Sequence, residues 1–420
     1  MTNTAILAFS ALLVLAYLLD VVGRRTRLPP VVLLIVAGIV ARQVLDRFEL
    51  HLGWVDPMVP IVGTLGLILI VLEGALDLSL RHERLPLIAR ASFVMIMGFI
   101  VCVAGFTTLF QQALGLAFLP AALAAMSVAV ISSAVAIPSV TGLAAPTREF
   151  VVYESSLSDI VGVLVFYAWL ESAGHAGAFV QALFGGMALS LLAAVAAGIG
   201  ILYLINRVEG HVRFLPLLAG LTLLYALGKQ VHLSPLVLIL VCGLLLNNTH
   251  LLVPFRRLRP LLRPGYDATL RDFKGLVVEL TFAVKSFFFL MLGYWTDLSA
   301  MTDWRAWAVM VAALGFIYPV RYTLLRLAGQ ADASQLVWVA PRGLITVLLF
   351  LTAATTPGLE AFPFGAIMLL VLSTAALTAL SHQRQGSVAI QAEAAAATAG
   401  APVAQVVKEK AWEGSGQVRK

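Results

Sequence analysis

Asp159 closes the run Tyr153-Glu154-Ser155-Ser156-Leu157-Ser158-Asp159 and is followed at once by the apolar stretch Ile160 to Leu170. A carboxylate near the middle of a membrane span is costly unless it binds something, so it marks a functional site by default. On an α-helix, residues four apart share a face. Ser155 and Asp159 therefore line one face, while Glu154 and Ser158 line another about 100° round. Asp159 with the Ser155 hydroxyl offers oxygens to a hard cation, which needs several. Ser132, Ser133 or carbonyls freed by a broken helix would supply more, and Glu154 would face a structural partner instead. The chemistry this permits is competition, because a partly desolvated carboxylate can hold either a proton or a cation. A site open to one side at a time would then exchange the two across a membrane.

Four further charges fall within apolar segments: Glu73, Lys285, Arg321 and Arg342. Lys285 lies too far from either end of its segment to snorkel easily, so a buried pair is expected, with Glu154 or Asp159 preferred and Glu73 left open. Arg321 and Arg342 lie nearer one edge, and snorkelling and burial are both open to them. Glu73 suits a gate, a partner for an arginine, or a structural acid.

Composition says what must position these groups. Of 420 residues, 60% are hydrophobic and 12% charged, and the apolar residues come in runs of about 20, the length that crosses a bilayer core. The chain reads as an all-α polytopic membrane protein with thirteen candidate spans: 3–22, 30–45, 58–80, 87–110, 117–142, 150–171, 177–206, 211–228, 233–249, 270–294, 303–327, 334–355 and 361–381. The runs are too long for barrel strands, and helices satisfy their own backbone in lipid. Loops after odd-numbered spans collect Arg24, Arg25, Arg27, Arg81, Arg84, Arg90, Arg148, Arg207, Arg213 and the group from Arg256 to Lys274. Loops after even-numbered spans hold only Arg42, Arg47, Lys229 and Arg305. This asymmetry predicts an amino terminus outside and a carboxyl terminus in the cytoplasm of a multi-pass cell-membrane protein, in a bacterial inner membrane. It also accounts for the net charge of +6 without nucleic-acid binding. Cys102 and Cys242 read as buried small hydrophobes.

Two segments repeat. Leu28-Pro29-Pro30 opens the second span and Leu233-Ser234-Pro235 the ninth, and in each a glycine follows the last proline by eight residues, Gly38 and Gly243. The third span ends Gly74-Ala75-Leu76-Asp77-Leu78-Ser79, and the tenth ends Gly293-Tyr294-Trp295-Thr296-Asp297-Leu298-Ser299. Both matches pair spans seven apart, and an odd offset means opposite directions across the membrane, the signature of inverted-repeat secondary transporters. Residues 1–385 thus form one transmembrane domain: repeat one over about 3–171, a linker helix at 177–206, and repeat two over about 211–381. Residues 386–420 read as a disordered cytoplasmic tail. The fifth and twelfth spans pair under this offset, and both carry helix breakers, Pro138 with Gly142 and Pro341 with Gly343. Broken helices of this kind line a cavity and cross at the site.

In these motifs the chain resembles the monovalent cation/proton antiporter superfamily over all thirteen spans, and in particular its prokaryotic sodium/proton exchangers. Electroneutral members carry an Asn-Asp pair in the sixth span preceded by Glu-Ser, and ESSLSD stands there. VKSFFFLMLGYWTDLS, YPVRY and APRGL resemble the family's tenth, eleventh and twelfth spans, and Glu73 falls where relatives have an acid in the third. The resemblance implies Asp159 as the ion- and proton-carrying carboxylate with Ser155 and Glu154 in support, a homodimer, and no cofactor beyond the transported sodium or potassium and protons. Three departures bear on stoichiometry. Ser158 replaces the Asn or Asp before Asp159, which argues for one-for-one exchange. Lys285 is more typical of electrogenic and potassium-handling relatives. Ser132-Ser133 stands where many electroneutral members have Thr-Asp.

The expected activity is therefore exchange of sodium, or lithium, for protons by elevator-like motion of a core built from spans 3–6 and 10–13. Potassium/proton exchange is the close alternative, and a sodium-coupled organic-anion symporter the more distant one. An enzyme is not expected, since all seven histidines fall in loops or at predicted span ends.

Overall fold

A computed structural model describes residues 2–26, 30–47, 59–140, 143–185, 187–207, 214–231, 233, 235–252, 266–296 and 298–381. The tail, Gly142, Asp297, the basic group from Arg256 to Arg263, and His51, His211, His232 and His382 lie outside the described residues. A helix lies in each of the thirteen predicted segments, and no strand occurs among the described residues. In order they are α1 (Thr2–Thr26), α2 (Pro30–Arg47), α3 (Val59–Asp77), α4 (Leu85–Leu114), the pair α5 (Phe118–Ala129) and α6 (Ser133–Ser139), and α7 (Ala145–Glu171). There follow α8 (Ala176–Val180) with a π-turn at Gln181–Gly185, then α9 (Met187–Arg207), α10 (Phe214–Gln230), α11 (Pro235–Asn247) and α12 (Tyr266–Trp295). The chain continues as α13 (Leu298–Thr302), α14 (Trp304–Leu327), the pair α15 (Ala333–Leu336) and α16 (Leu344–Ala353), and α17 (Gly365–Ser381). Six helical stretches among the described residues have the length and apolarity to cross a membrane.

Local chemistry sets several ends. Pro30 and Pro235 open α2 and α11, and prolines sit in the first turns of α4 and α7, where a missing N–H costs nothing. Gly115 ends α4 at φ 66°, a left-handed stop that lets its N–H bond Gln111 O. Asp303 caps α14 by accepting from the Arg305 N–H at 3.0 Å.

The repeated glycines mark reciprocal packing. Gly38 on α2 lies so close to Leu290, Gly293 and Tyr294 of α12 that a Cβ there would strike backbone, and Gly293 meets Ile35 in the same way. Gly243 on α11 meets Ala75 and Leu72 of α3. Span 2 thus packs on span 10, and span 9 packs on span 3, which is the exchange a seven-span offset requires. The residue twelve beyond each helix-opening proline repeats the relation: Arg42 donates to Tyr294 O and Thr296 O at the end of α12, and Asn247 donates to Leu78 O just past α3.

Packing sorts the helices into two groups. One contains α1, α2, α3, α9, α10, α11 and α12; the other contains α4 to α7 with α14 and α16, and α17 joins it through hydrogen bonds to the 338–342 segment. The grouping differs from the expected core of spans 3–6 and 10–13, because α3 and α12 make their main contacts with α2 and α11. The two interrupted spans lie at the heart of the second group. In the apolar window of Phe118–Ser139, 78% of the residues are buried, against 28% for Trp304–Leu327 on the rim.

Candidate ion-binding site

The two chain breaks touch. Residues Val130 to Ser132 separate α5 from α6, and Val337 to Gly343 separate α15 from α16. The Ser132 N–H donates to Pro341 O at 2.9 Å, so one break satisfies the other. Only glycine fits at 343, since a Cβ there would come within 2.5 Å of Ser132 Oγ. The second break falls at Pro341 and Gly343 as the sequence predicts. The first falls earlier than Pro138 and Gly142: Pro138 lies inside α6, one residue before its end, where its missing N–H forfeits a helical bond without making the break.

Helix α7 lies beside the first break and answers its exposed donors. Ser158 Oγ accepts from the Ile131 N–H at 2.9 Å, and Asp159 Oδ2 accepts from the Ser133 N–H at 3.0 Å. Both side chains are buried, with Asp159 only 4% exposed. Asp159 Oδ1 is buried and has no partner. The break at Ser132 and Ser133 thus meets Ser158 and Asp159 of α7 through backbone N–H donors, where the sequence reading looked to the two serines for oxygens. Ser155, also buried, turns its hydroxyl hydrogen back to Val151 O at 2.7 Å, which leaves its oxygen lone pairs uncommitted by that bond.

The carbonyl ends left by the breaks are closed by buried arginines. Arg342 Nε donates to Val128 O at 2.7 Å, near the end of α5, and a second nitrogen donates to Ala340 O at 2.9 Å. Arg321 Nε donates to Leu336 O at 3.0 Å, the last residue of α15. A cation at a helix carboxyl end is favoured by the orphaned carbonyls there. Both arginines are at most 5% exposed, so burial rather than snorkelling describes them.

Arg321 also holds Glu154 bidentately, at 2.5 and 2.9 Å, which supplies the structural partner predicted for Glu154. Lys285 pairs with Glu73 at 2.6 Å, not with Glu154 or Asp159 as expected. The reason is placement: Lys285 projects from α12 and Glu73 from α3, which pack directly on each other, whereas Glu154 faces α14. A cavity against the Glu154–Arg321 pair is lined by Gly98, Cys102, Ser158 and Arg342 among others. Cys102 and Cys242 are buried free thiols.

Several contributors were not foreseen. Thr374 on α17 accepts from the Arg342 N–H at 2.9 Å, and Thr378 donates to Trp338 O at 2.9 Å, so α17 serves the second break as α7 serves the first. Their signal is four-residue spacing on one face of an apolar span. Asn248, buried, donates to Leu78 O at 2.8 Å and accepts from the Leu80 N–H at 2.6 Å, locking the end of α3 to α11.

No curated protein matches the chain. Among solved structures it is similar to the sodium proton antiporter MjNhaP1 of Methanocaldococcus jannaschii at pH 8, at 18% identity over 90% of this chain and 96% of that one, with a TM-score of 0.71. An electron-microscopy structure of the same antiporter matches at 17% identity over 91% and 98% of the two chains, with a TM-score of 0.68. The all-helical architecture with crossing breaks is therefore the fold of that antiporter. The family described as "Sodium/hydrogen exchanger, transmembrane" matches residues 9–383, and the chain belongs to that family of multi-pass membrane transport proteins.

Proposed function

We propose that the protein exchanges sodium for protons at Asp159, which takes one or the other and is opened to each side in turn. One observation carries this reading. Of the three acids singled out within the spans, Glu154 is engaged by Arg321 and Glu73 by Lys285, whereas Asp159 keeps one buried oxygen without a partner. A carboxylate oxygen in such a place is stable only when something occupies it, either a proton or a cation. Ser155, Ser132 and Ser133 add oxygens, and Ser158 holds the break in register. A single exchanging carboxylate supports one-for-one, electroneutral exchange, with lithium as an acceptable substitute for sodium. Alternating access is elevator-like, with α4 to α7 and α14 to α17 as the moving body and α3 and α12 left in the static one. The packing of α3 and α12 on α2 and α11 supports that division. The static bodies of two copies form a homodimer in the cell membrane, amino terminus outside and carboxyl terminus in the cytoplasm.

The test is purified protein in liposomes with an internal pH dye, pulsed with sodium, lithium, potassium or choline at zero membrane potential. Proton movement with sodium and lithium is expected, and choline should be silent. Movement with potassium alone would make the protein a potassium/proton antiporter, and movement that needs an added organic anion would overturn antiport altogether.

A further inference from the structure

The buried oxygens of α7 that lack a partner are two, Asp159 Oδ1 and Ser156 Oγ. Ser156 is 1% exposed. Residues three apart on a helix are surface neighbours, so these two orphans share one side of α7. Ser155, next to it, is different, because its hydroxyl hydrogen is committed to Val151 O. Burying a hydroxyl without a hydrogen bond is unfavourable, and serine readily avoids that cost by bonding the carbonyl one turn back, as Ser155 does. Ser156 forgoes that bond.

The surroundings say what Ser156 faces. A Cβ placed on Gly74 of α3 would lie 3.9 Å from Ser156 Cβ, so this side of α7 meets α3 at the glycine next to Glu73. Helix α3 belongs to the first packing group and α7 to the second, so Ser156 stands at the seam between them. The Glu73–Lys285 pair is close enough to act electrostatically on Asp159 across the same seam. From the paired orphan oxygens and their place at the seam, we infer that Ser156 is a side-chain ligand of the transported cation, bound jointly with Asp159 Oδ1. This rests on Asp159 being the ion-carrying group. A hard monovalent cation takes oxygen ligands, and a serine hydroxyl offers two lone pairs while its hydrogen turns away. Ser155 supplies an oxygen from the preceding position, so the cation meets a short arc of three α7 side chains.

The experiment compares Ser156→Ala, Ser156→Thr and the unaltered protein in two readouts. Alanine is a good helix former and leaves no unsatisfied group, so a folded protein is expected. In liposomes, Ser156→Ala should raise the apparent KM for sodium by about tenfold, the loss of one oxygen contact to a charged partner, with maximal rate little changed. Ser156→Thr, which keeps the hydroxyl, should restore most of the affinity. In detergent, the sodium-dependent rise in melting temperature should shrink in Ser156→Ala, because ligand stabilisation follows binding and not basal stability. A lowered baseline melting temperature with an unchanged sodium increment and unchanged KM would overturn the inference and make Ser156 structural. If the unaltered protein shows no cation-driven proton flux, the antiport reading fails with it; if exchange is normal and only the alanine effect is missing, the ligand assignment alone fails.

Discussion

Replacing Glu154 by leucine removes the carboxylate that holds Arg321 and leaves a guanidinium 5% exposed with only Leu336 O to serve. Breaking a buried pair from one side costs about 3–5 kcal/mol, because the remaining charge is uncompensated. Arg321→Met should be destabilising for the mirror reason and also orphans the Leu336 carbonyl. The double replacement Glu154→Leu with Arg321→Met removes both charges together. Exchange of a buried pair for apolar groups is neutral to favourable by about 1–4 kcal/mol. Against this stands the orphaned Leu336 carbonyl, at about 1–3 kcal/mol. The double variant should therefore lie within about 3 kcal/mol of the parent, above Glu154→Leu. Titration with a denaturing detergent, followed by intrinsic tryptophan fluorescence, measures all four proteins as one cycle. Because both partners lie in the second packing group, the double variant should also retain cation-driven proton movement. Single variants as stable as the parent, or a double variant whose loss is the sum of the two singles, would refute the reasoning.

Three further outcomes follow from the geometry. Gly343→Ala places a Cβ against Ser132 Oγ and Val135, so the two breaks must separate; exchange should fall at least tenfold in the liposome assay, with the protein still extractable as a folded species. Gly293→Leu drives a side chain into the α2 backbone at Ile35 and should lower the melting temperature in detergent much more than Gly315→Leu, where a Cβ meets open space. Lys285→Ala frees Glu73 at a half-buried position, so it should shift the pH profile of exchange or lower stability while exchange persists; complete loss of exchange in a stable protein would place Lys285 in the ion-carrying step.

What could be read in the sequence was what depends on local pattern. Apolar runs located the long helices but not the short α13, and Pro341 with Gly343 located one break. The two proline-to-glycine spacings, read in the sequence only as a repeat, mark the close approaches of α2 to α12 and α11 to α3. The first break escaped because Val130-Ile131-Ser132 contains no helix breaker. It is held open by bonds to Ser158 and Asp159, 26 or 27 positions away, and to Pro341 from the other half of the chain. Pairing of charges was equally hidden, since periodicity assigns a face and not the helix that will cover it. Glu154 finds Arg321 at a separation of 167 residues, and Lys285 finds Glu73 at 212. The same limit explains Ser155 and Ser156: four-residue spacing favours Ser155, and only the hydrogen bond to Val151 O shows that its neighbour is the hydroxyl without a partner.

The central claim is that Asp159 is the one carboxylate that trades the cation for the proton, and Asp159→Asn tests it most directly. The amide keeps the shape and can still accept from the Ser133 N–H, so the fold should survive, but it can neither hold a cation by charge nor release a proton. In liposomes under a sodium pulse, the account predicts no proton movement from Asp159→Asn beside normal movement in the parent. Full sodium/proton exchange by the Asp159→Asn protein would contradict it.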